Sequence, residues 1–336
     1  MVTGVDSPHQ SHDPASADAV NTPWAAALGL SAPIVNAPMG GVAGGALAAA
    51  VSRAGGLGMI GIGSAGSTTT LQRELGHVAG LSLPFGIGLI GWAVHAEPGL
   101  LETALAARPT LVSVSFGDDW SWVARARDSG CVTATQVADL DGALRAADAG
   151  VEILVARGAE GGGHGQPAMG TLPLLCQILD RTDRPVLAAG GISSGRGLAA
   201  TLAAGASGAW IGTAFAACRE STLTDPARAV MLAADGADTV VTRIFDIALD
   251  YPWPPSTPER VIRNAFFDGW DGREVELAGD RAAAAELLGA IAAADYRLAP
   301  VNAGQGVGEV TGIEPVAVVI ARLCDQARDI LARAPS

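Results

Sequence analysis

One of the chain's five histidines is placed to do chemistry. His164 ends the run Arg157-Gly158-Ala159-Glu160-Gly161-Gly162-Gly163-His164, a glycine-rich loop that follows an apolar stretch at 152–156. Imidazole is the natural proton acceptor near neutral pH. His9 and His12 fall in a polar N-terminal stretch, and His77 and His95 lie on or beside helical stretches. The plain alternative for His164 is a surface-loop histidine. The three glycines before it argue instead for backbone pressed against something flat or large.

A second group reads as an anion site. Ala189-Gly190-Gly191-Ile192 and Ile211-Gly212-Thr213-Ala214 each follow an apolar run, at 185–189 and 207–211. Without side chains, backbone N–H groups can approach phosphate oxygens, a helix start favours the negative charge, and Thr213 adds a hydroxyl. The alternative is that Gly-Gly only closes a tight turn. Met39, in Asn36-Ala37-Pro38-Met39-Gly40-Gly41, reads as a core gap-filler or as packing for a cofactor ring. Two G-x-G-x-x-G matches, from Gly61 and from Gly86, lack the acidic residue about 20 positions on that a dinucleotide fold wants. Tight turns explain those glycines better.

These residues need elements to hold them. Short apolar runs at 33–37, 57–61, 84–89, 110–114, 131–135, 152–156, 185–189 and 207–211 alternate with Ala-rich helical stretches near 43–54, 69–79, 98–107, 119–129, 138–149, 171–182 and 195–204. Continuous apolar strands between helices mean a parallel sheet buried on both faces. Eight such units predict an α/β fold, a closed (β/α)8 TIM barrel whose strand ends carry the chemistry. After Gly212 the rhythm stops. Helical stretches near 225–235, 258–267 and 280–294 predict an inserted, mostly helical lid after the eighth strand, and Glu314–Arg333 has the spacing of a helix that returns to the barrel. The expected organisation is a disordered tail over 1–22, the barrel over 23–216, the lid over 217–311 and the closing helix over 312–336.

Composition removes other chemistries. The 336 residues carry a formal charge of −13, which argues against a nucleic-acid partner. All 21 basic residues are arginine, so a Schiff-base, pyridoxal-phosphate or Walker-loop lysine is excluded. Cys131, Cys176, Cys218 and Cys324 are far apart and suggest neither a metal cluster nor a disulfide framework; a cytoplasmic location fits. The polar residues 1–22 read as a tail rather than a secretory signal, and no apolar run approaches the roughly 20 residues of a membrane helix.

Taken together, Ala37-Pro38-Met39, the Gly-Ala-Glu-Gly-Gly-Gly-His-Gly loop, Ala-Gly-Gly-Ile and Ile-Gly-Thr-Ala-Phe resemble the nitronate monooxygenase family, the flavin-dependent enzymes once called 2-nitropropane dioxygenases. Arg260-Val261-Ile262-Arg263-Asn264 and Ala303-Gly304-Gln305-Gly306 also resemble family segments, so the likeness runs from about Pro33 to the C-terminus. It implies FMN bound non-covalently at the top of the barrel and His164 as the catalytic base. The flavin would be lined by Ala37, Pro38, Met39, Gly88, Gln136, Arg157, Gly162, Gly163, Gly190, Gly191, Trp210, Gly212 and Thr213, with no metal. Two positions depart from the family pattern. Gly88 stands where the strand-three motif often has Asn, and Arg157 stands where Gln usually precedes the loop glycine.

Arg157 brings a permanent charge that would stabilise reduced flavin, a carboxylate or a nitronate, or else pair with Glu160. The implied activity is oxidation of alkyl nitronates or nitroalkanes with O2 to a carbonyl compound and nitrite. Two alternatives stand beside it. One is an NAD(P)H-dependent reductase of quinones or activated enoyl groups, motivated by Tyr251, Trp253, Phe266, Phe267 and Trp270 in the lid. The other is a non-catalytic FMN-binding accessory protein. A small-molecule substrate is expected in the enzymatic cases, without membrane contact, and a homodimer is compatible with either.

Overall fold

The computed structural model describes residues 20–333. Eight short parallel strands form its ring: β1 (Ile34–Asn36), β2 (Gly58–Gly61), β3 (Phe85–Ile90), β4 (Leu111–Ser115), β5 (Val132–Val137), β6 (Ile153–Arg157), β8 (Val186–Ala189) and β9 (Gly208–Ile211); the two-residue β7 (Gly163–His164) stands outside it. Their order is β1-β9-β8-β6-β5-β4-β3-β2, and a parallel bridge between Val35 and Leu57 closes β2 onto β1. The buried Asn36 side chain strengthens that thin seam. Its Nδ2 donates to Met59 O at 2.9 Å and its Oδ1 accepts from Met59 N at 2.7 Å. Each predicted barrel strand is present within one or two residues of its expected limits.

The strands are apolar throughout because both faces are covered. Val35, Met59, Leu111, Val155, Leu187 and Trp210 fill the interior, joined by Trp24 and Ala25 of the short helix Pro23–Ala27. Ile34, Ile60, Ile87, Val112, Leu154 and Val186 face outward into the larger cluster beneath the helices. Helix limits follow from local chemistry. Ser67, Asp139 and Ser194 each accept from the backbone N–H three residues on, satisfying a first-turn donor. Gly55, Gly130, Gly150 and Gly205 take left-handed conformations just past four helix ends, where a Cβ would be strained.

Residues 1–19 of the expected tail lie outside the described residues. Val20 is buried, and the Thr22 hydroxyl caps the first helix and donates to Ser207 O. The expected closing helix is Val316–Leu331. Val316, Val319, Ile320, Leu323 and Ala327 bury their side chains in the outer barrel cluster, and Gln326 accepts from Gly195 N.

The segment after β9 carries helices Asp225–Ala233, Ile244–Leu249, Ala265–Trp270 and Arg281–Ala292, but it also contains strands β10 (Thr239–Thr242) and β11 (Glu259–Ile262). The helix expected over 258–267 is therefore corrected: residues 259–262 are β11, and a helix starts only at Ala265. The cause is tertiary. β11 pairs antiparallel with β10 on one side and with β7 on the other, setting Glu259 opposite His164 and Arg260 opposite Gly163. Ladder bonds to distant strands override a short segment's helical pattern. Around this sheet lies a separate apolar cluster of Ile244, Phe245, Val261, Phe266, Phe267, Leu277 and Leu287. No described helix is long and apolar enough to cross a membrane.

Candidate functional site

The C-terminal ends of the barrel strands open onto a cavity of about 430 Å³. His164 and every residue expected to line the flavin border it. Ala37, Pro38 and Met39 follow β1, Gly88 lies in β3, Gln136 in β5 and Arg157 ends β6. Gly162, Gly163 and His164 form the loop beyond β6, Gly190 and Gly191 follow β8, and Trp210, Gly212 and Thr213 end and follow β9.

The end of the cavity near β8 and β9 is made of backbone. Gly190 and Gly191 have φ of +114° and +68°, and a Cβ on Gly190 would lie 2.7 Å from Thr171 Oγ1. The turn they make leaves the N–H groups of Gly191, Ile192 and Ser193 without a protein acceptor among the described residues, although Ile192 and Ser193 are buried. Buried N–H groups rarely stay unpaired, so these are donors awaiting an acceptor. Thr213 Oγ1 accepts from Gly304 N at 2.9 Å and keeps its own proton to donate. Orphaned donors from two loops, in a cavity floored by small residues, fit the phosphate and ring of a bound flavin mononucleotide.

The opposite end is made of side chains. His164 Nε2 lies 3.0 Å from both carboxylate oxygens of Asp246, which is 2% exposed. A carboxylate there favours the tautomer with hydrogen on Nε2, leaving the Nδ1 lone pair as the basic one. The imidazole stacks on Trp253 with ring centres 3.8 Å apart and planes 9° apart, and Trp92 and Phe116 meet Trp253 edge-on. Phe116 sits at φ +66°, a strained conformation for a bulky residue that this aromatic packing holds in place. Glu259 completes the group. Burial, and then the nearby Asp246 charge, push its carboxyl up to about 8.

Arg157 supports the histidine loop. Its Nη2 donates to the carbonyls of Gly161, Gly162 and Gly163 at 3.0, 3.1 and 3.0 Å. Burial and the Arg260 charge lower its pKa to about 10, so it stays protonated at neutral pH. The alternative pairing with Glu160 does not form: Glu160 instead accepts from Thr171 N and Oγ1. The glycines before His164 do lie against something large, which is protein. A Cβ on Gly162 would meet the Ala303–Gly304 backbone at 2.6 Å. The missing Asn at position 88 also has a steric reason, since any side chain there would strike the Pro38 ring at 2.3 Å.

Asp246 and Glu259 escaped sequence reading. They stand 82 and 95 positions beyond His164, in segments whose patterns gave no reason to join them to it. The aromatics of the late segment divide: Tyr251 and Trp253 line the cavity, whereas Phe266, Phe267 and Trp270 pack in or against the late segment's own core.

A model of the nitronate monooxygenase family matches residues 21–93 and 93–326. A nitronate monooxygenase of Metarhizium robertsii is 32% identical over 332 residues, covering 89% of this chain and 91% of that protein. The (3aS,4S,5R,7aS)-5-hydroxy-7a-methyl-1-oxo-octahydro-1H-indene-4-carboxyl-CoA dehydrogenase of Rhodococcus jostii is 36% identical over 221 residues. That match takes in 65% of this chain but only 62% of that relative's length. Among solved structures, FabK from Thermotoga maritima superposes with a TM-score of 0.82 at 28% identity, covering 94% of this chain and 98% of the other. With the barrel and its cavity in place, and a family model spanning nearly all of the described chain, the protein belongs to the nitronate monooxygenase family of oxidoreductases.

Proposed function

We propose that the protein binds FMN in the barrel-mouth cavity and oxidises alkyl nitronates or nitroalkanes with O2 to a carbonyl compound and nitrite. The observation that carries this reading is the His164–Asp246 pair at 3.0 Å, a proton-handling group aimed into the same cavity as the orphaned N–H donors. FMN, when bound, supplies the electron acceptor and the place where O2 reacts.

The chain's own residues do the rest. The N–H groups of Gly191, Ile192 and Ser193, with Thr213, would hold the phosphate, and Ala37–Met39 and Gly88 leave a smooth wall for the ring. Asp246 accepts from His164 Nε2–H and stabilises the imidazolium that forms when Nδ1 takes the Cα proton of a nitroalkane. A substrate that arrives already as the nitronate needs no such transfer. Trp253, Trp92 and Phe116 keep water from the imidazole's flank. Four free cysteines, three of them buried, suit a reducing cytoplasm.

The test is anaerobic stopped-flow absorbance of FMN-loaded protein mixed separately with an alkyl nitronate, NADH and NADPH. Flavin bleaching by the nitronate, lost in His164→Ala, is the expected result. Bleaching by a pyridine nucleotide alone would make the protein a reductase, and bleaching by none would make it a flavin-binding protein without this chemistry.

A further inference from the structure

The cavity holds more acid than a histidine–aspartate pair needs. Glu259 lines it and is 4% exposed, and its carboxyl, the Asp246 carboxyl and the His164 ring each offer an atom within 4.8 Å of the others. Two buried carboxylates this close repel each other when both are ionised, and a neutral imidazole compensates neither.

The surroundings decide where the proton rests. Asp246, on helix Ile244–Leu249, has His164 Nε2 within hydrogen-bond distance of both its oxygens. Glu259 has no such partner among the described residues. Across the sheet its neighbours are His164 on β7 and the neutral Thr242 on β10. Arg260, the next residue on β11, turns to the other face and donates to Ala159 O and Thr239 Oγ1. Arg157 is committed to the loop carbonyls. The pKa of Glu259, pushed up to about 8 by burial and by Asp246, agrees with this assignment.

We propose that Glu259 is a second working acid of the site, a neutral carboxylic acid at neutral pH that donates a hydrogen bond to an oxygen of the bound nitronate. The substrate part rests on the nitronate reading above. A carboxylate in this place would repel the anionic substrate, whereas the acid offers the donor its oxygens require. The residue therefore sets both affinity for an anion and the alkaline limit of the reaction.

Two measurements on the FMN-loaded holoenzyme test it. In the pH profile of kcat/KM with an alkyl nitronate, wild type should fall above a pH of about 8, by about tenfold per pH unit. Glu259→Gln keeps a donor that cannot ionise and should lose that alkaline limb. Glu259→Ala should lower kcat/KM about tenfold or more at neutral pH. An unchanged limb in Glu259→Gln overturns the proposal, as does full activity in Glu259→Ala. Separately, infrared titration without substrate should show a carboxylic-acid carbonyl band at neutral pH that vanishes in Glu259→Gln. Its absence from wild type overturns the proposal whatever the substrate proves to be. A protein that shows the band but turns over no nitronate supports the neutral acid and overturns the nitronate reading instead.

Discussion

The two ends of the cavity recognise by opposite means. Near β8 the wall is backbone N–H without an acceptor among the described residues, shaped by glycines at positive φ and held rigid by the barrel. Near β7 it is three ionisable side chains, His164 stacked on Trp253 with Asp246 and Glu259 beside it, the last set opposite His164 by a small antiparallel sheet outside the barrel. A backbone wall has no titration and tolerates little change of shape. A side-chain wall can be altered one group at a time, and its protonation follows pH. The difference teaches that the first end should govern whether a cofactor is held, and the second what is done with it.

The largest expected effect separates those roles. His164→Ala should lower turnover of a nitronate by about 10²–10⁴-fold while flavin stays bound; turnover and flavin absorbance of the purified variant check both halves. Loss of flavin along with activity would erase the distinction between the ends.

Asp246→Asn comes next. Its amide can donate toward Nε2 and so hold the imidazole in the wrong tautomer; a drop in kcat of about 10²-fold with unchanged flavin affinity is expected from steady-state kinetics. A smaller effect than that of a Trp253→Ala control would mean that stacking, rather than the carboxylate, orients the ring.

At the other end, Gly190→Ala should strain the turn and raise the flavin dissociation constant by about tenfold, equivalent to about 1–2 kcal/mol. Flavin release on dilution measures it, and the shape of the pH profile should not move.

The smallest effect, counted per pH unit, is on stability. Glu259 ionises near 4.5 when free and is pushed up to about 8 in the folded chain. Between those values the folded state binds the additional proton, so its contribution to stability is fully present below the lower value and is lost as pH rises through the upper one. Glu259→Gln should therefore lose less stability than wild type as pH rises across that window, by up to about 1 kcal/mol per pH unit. Denaturant melts at three or four pH values would show it.

The same contrast explains what the sequence reveals. Barrel strands are legible because burial on both faces makes each an unbroken apolar run, and because glycines mark the helix ends at 55, 130, 150 and 205. The glycine-built end of the cavity is legible for a related reason: Gly190-Gly191 and Gly212-Thr213 act through local backbone, so a few adjacent letters carry the whole signal. Asp246 and Glu259 act only through their positions in space. Helix Ile244–Leu249 places one and β11 the other, and β11 itself is misread as helix because its four residues are held as strand by ladders to β10 and to the distant β7, which no local pattern shows. Arg157 shows the converse. Its charge is plain in the sequence and suggests a ligand, but the folded chain gives Nη2 to three carbonyls of its own loop.

The pairing of β7 with β11 has a consequence for how such proteins can diversify. The loop bearing His164 and the late strand bearing Glu259 are ladder partners, and Gly162 rests on the backbone at 303–304. Neither piece can be exchanged between relatives without the other, because a transplanted loop would arrive without its ladder partner or its acid. The helices around the barrel carry no such tie to this chemistry. In this protein the heritable unit of function is therefore discontinuous, two stretches about a hundred residues apart that must change in step.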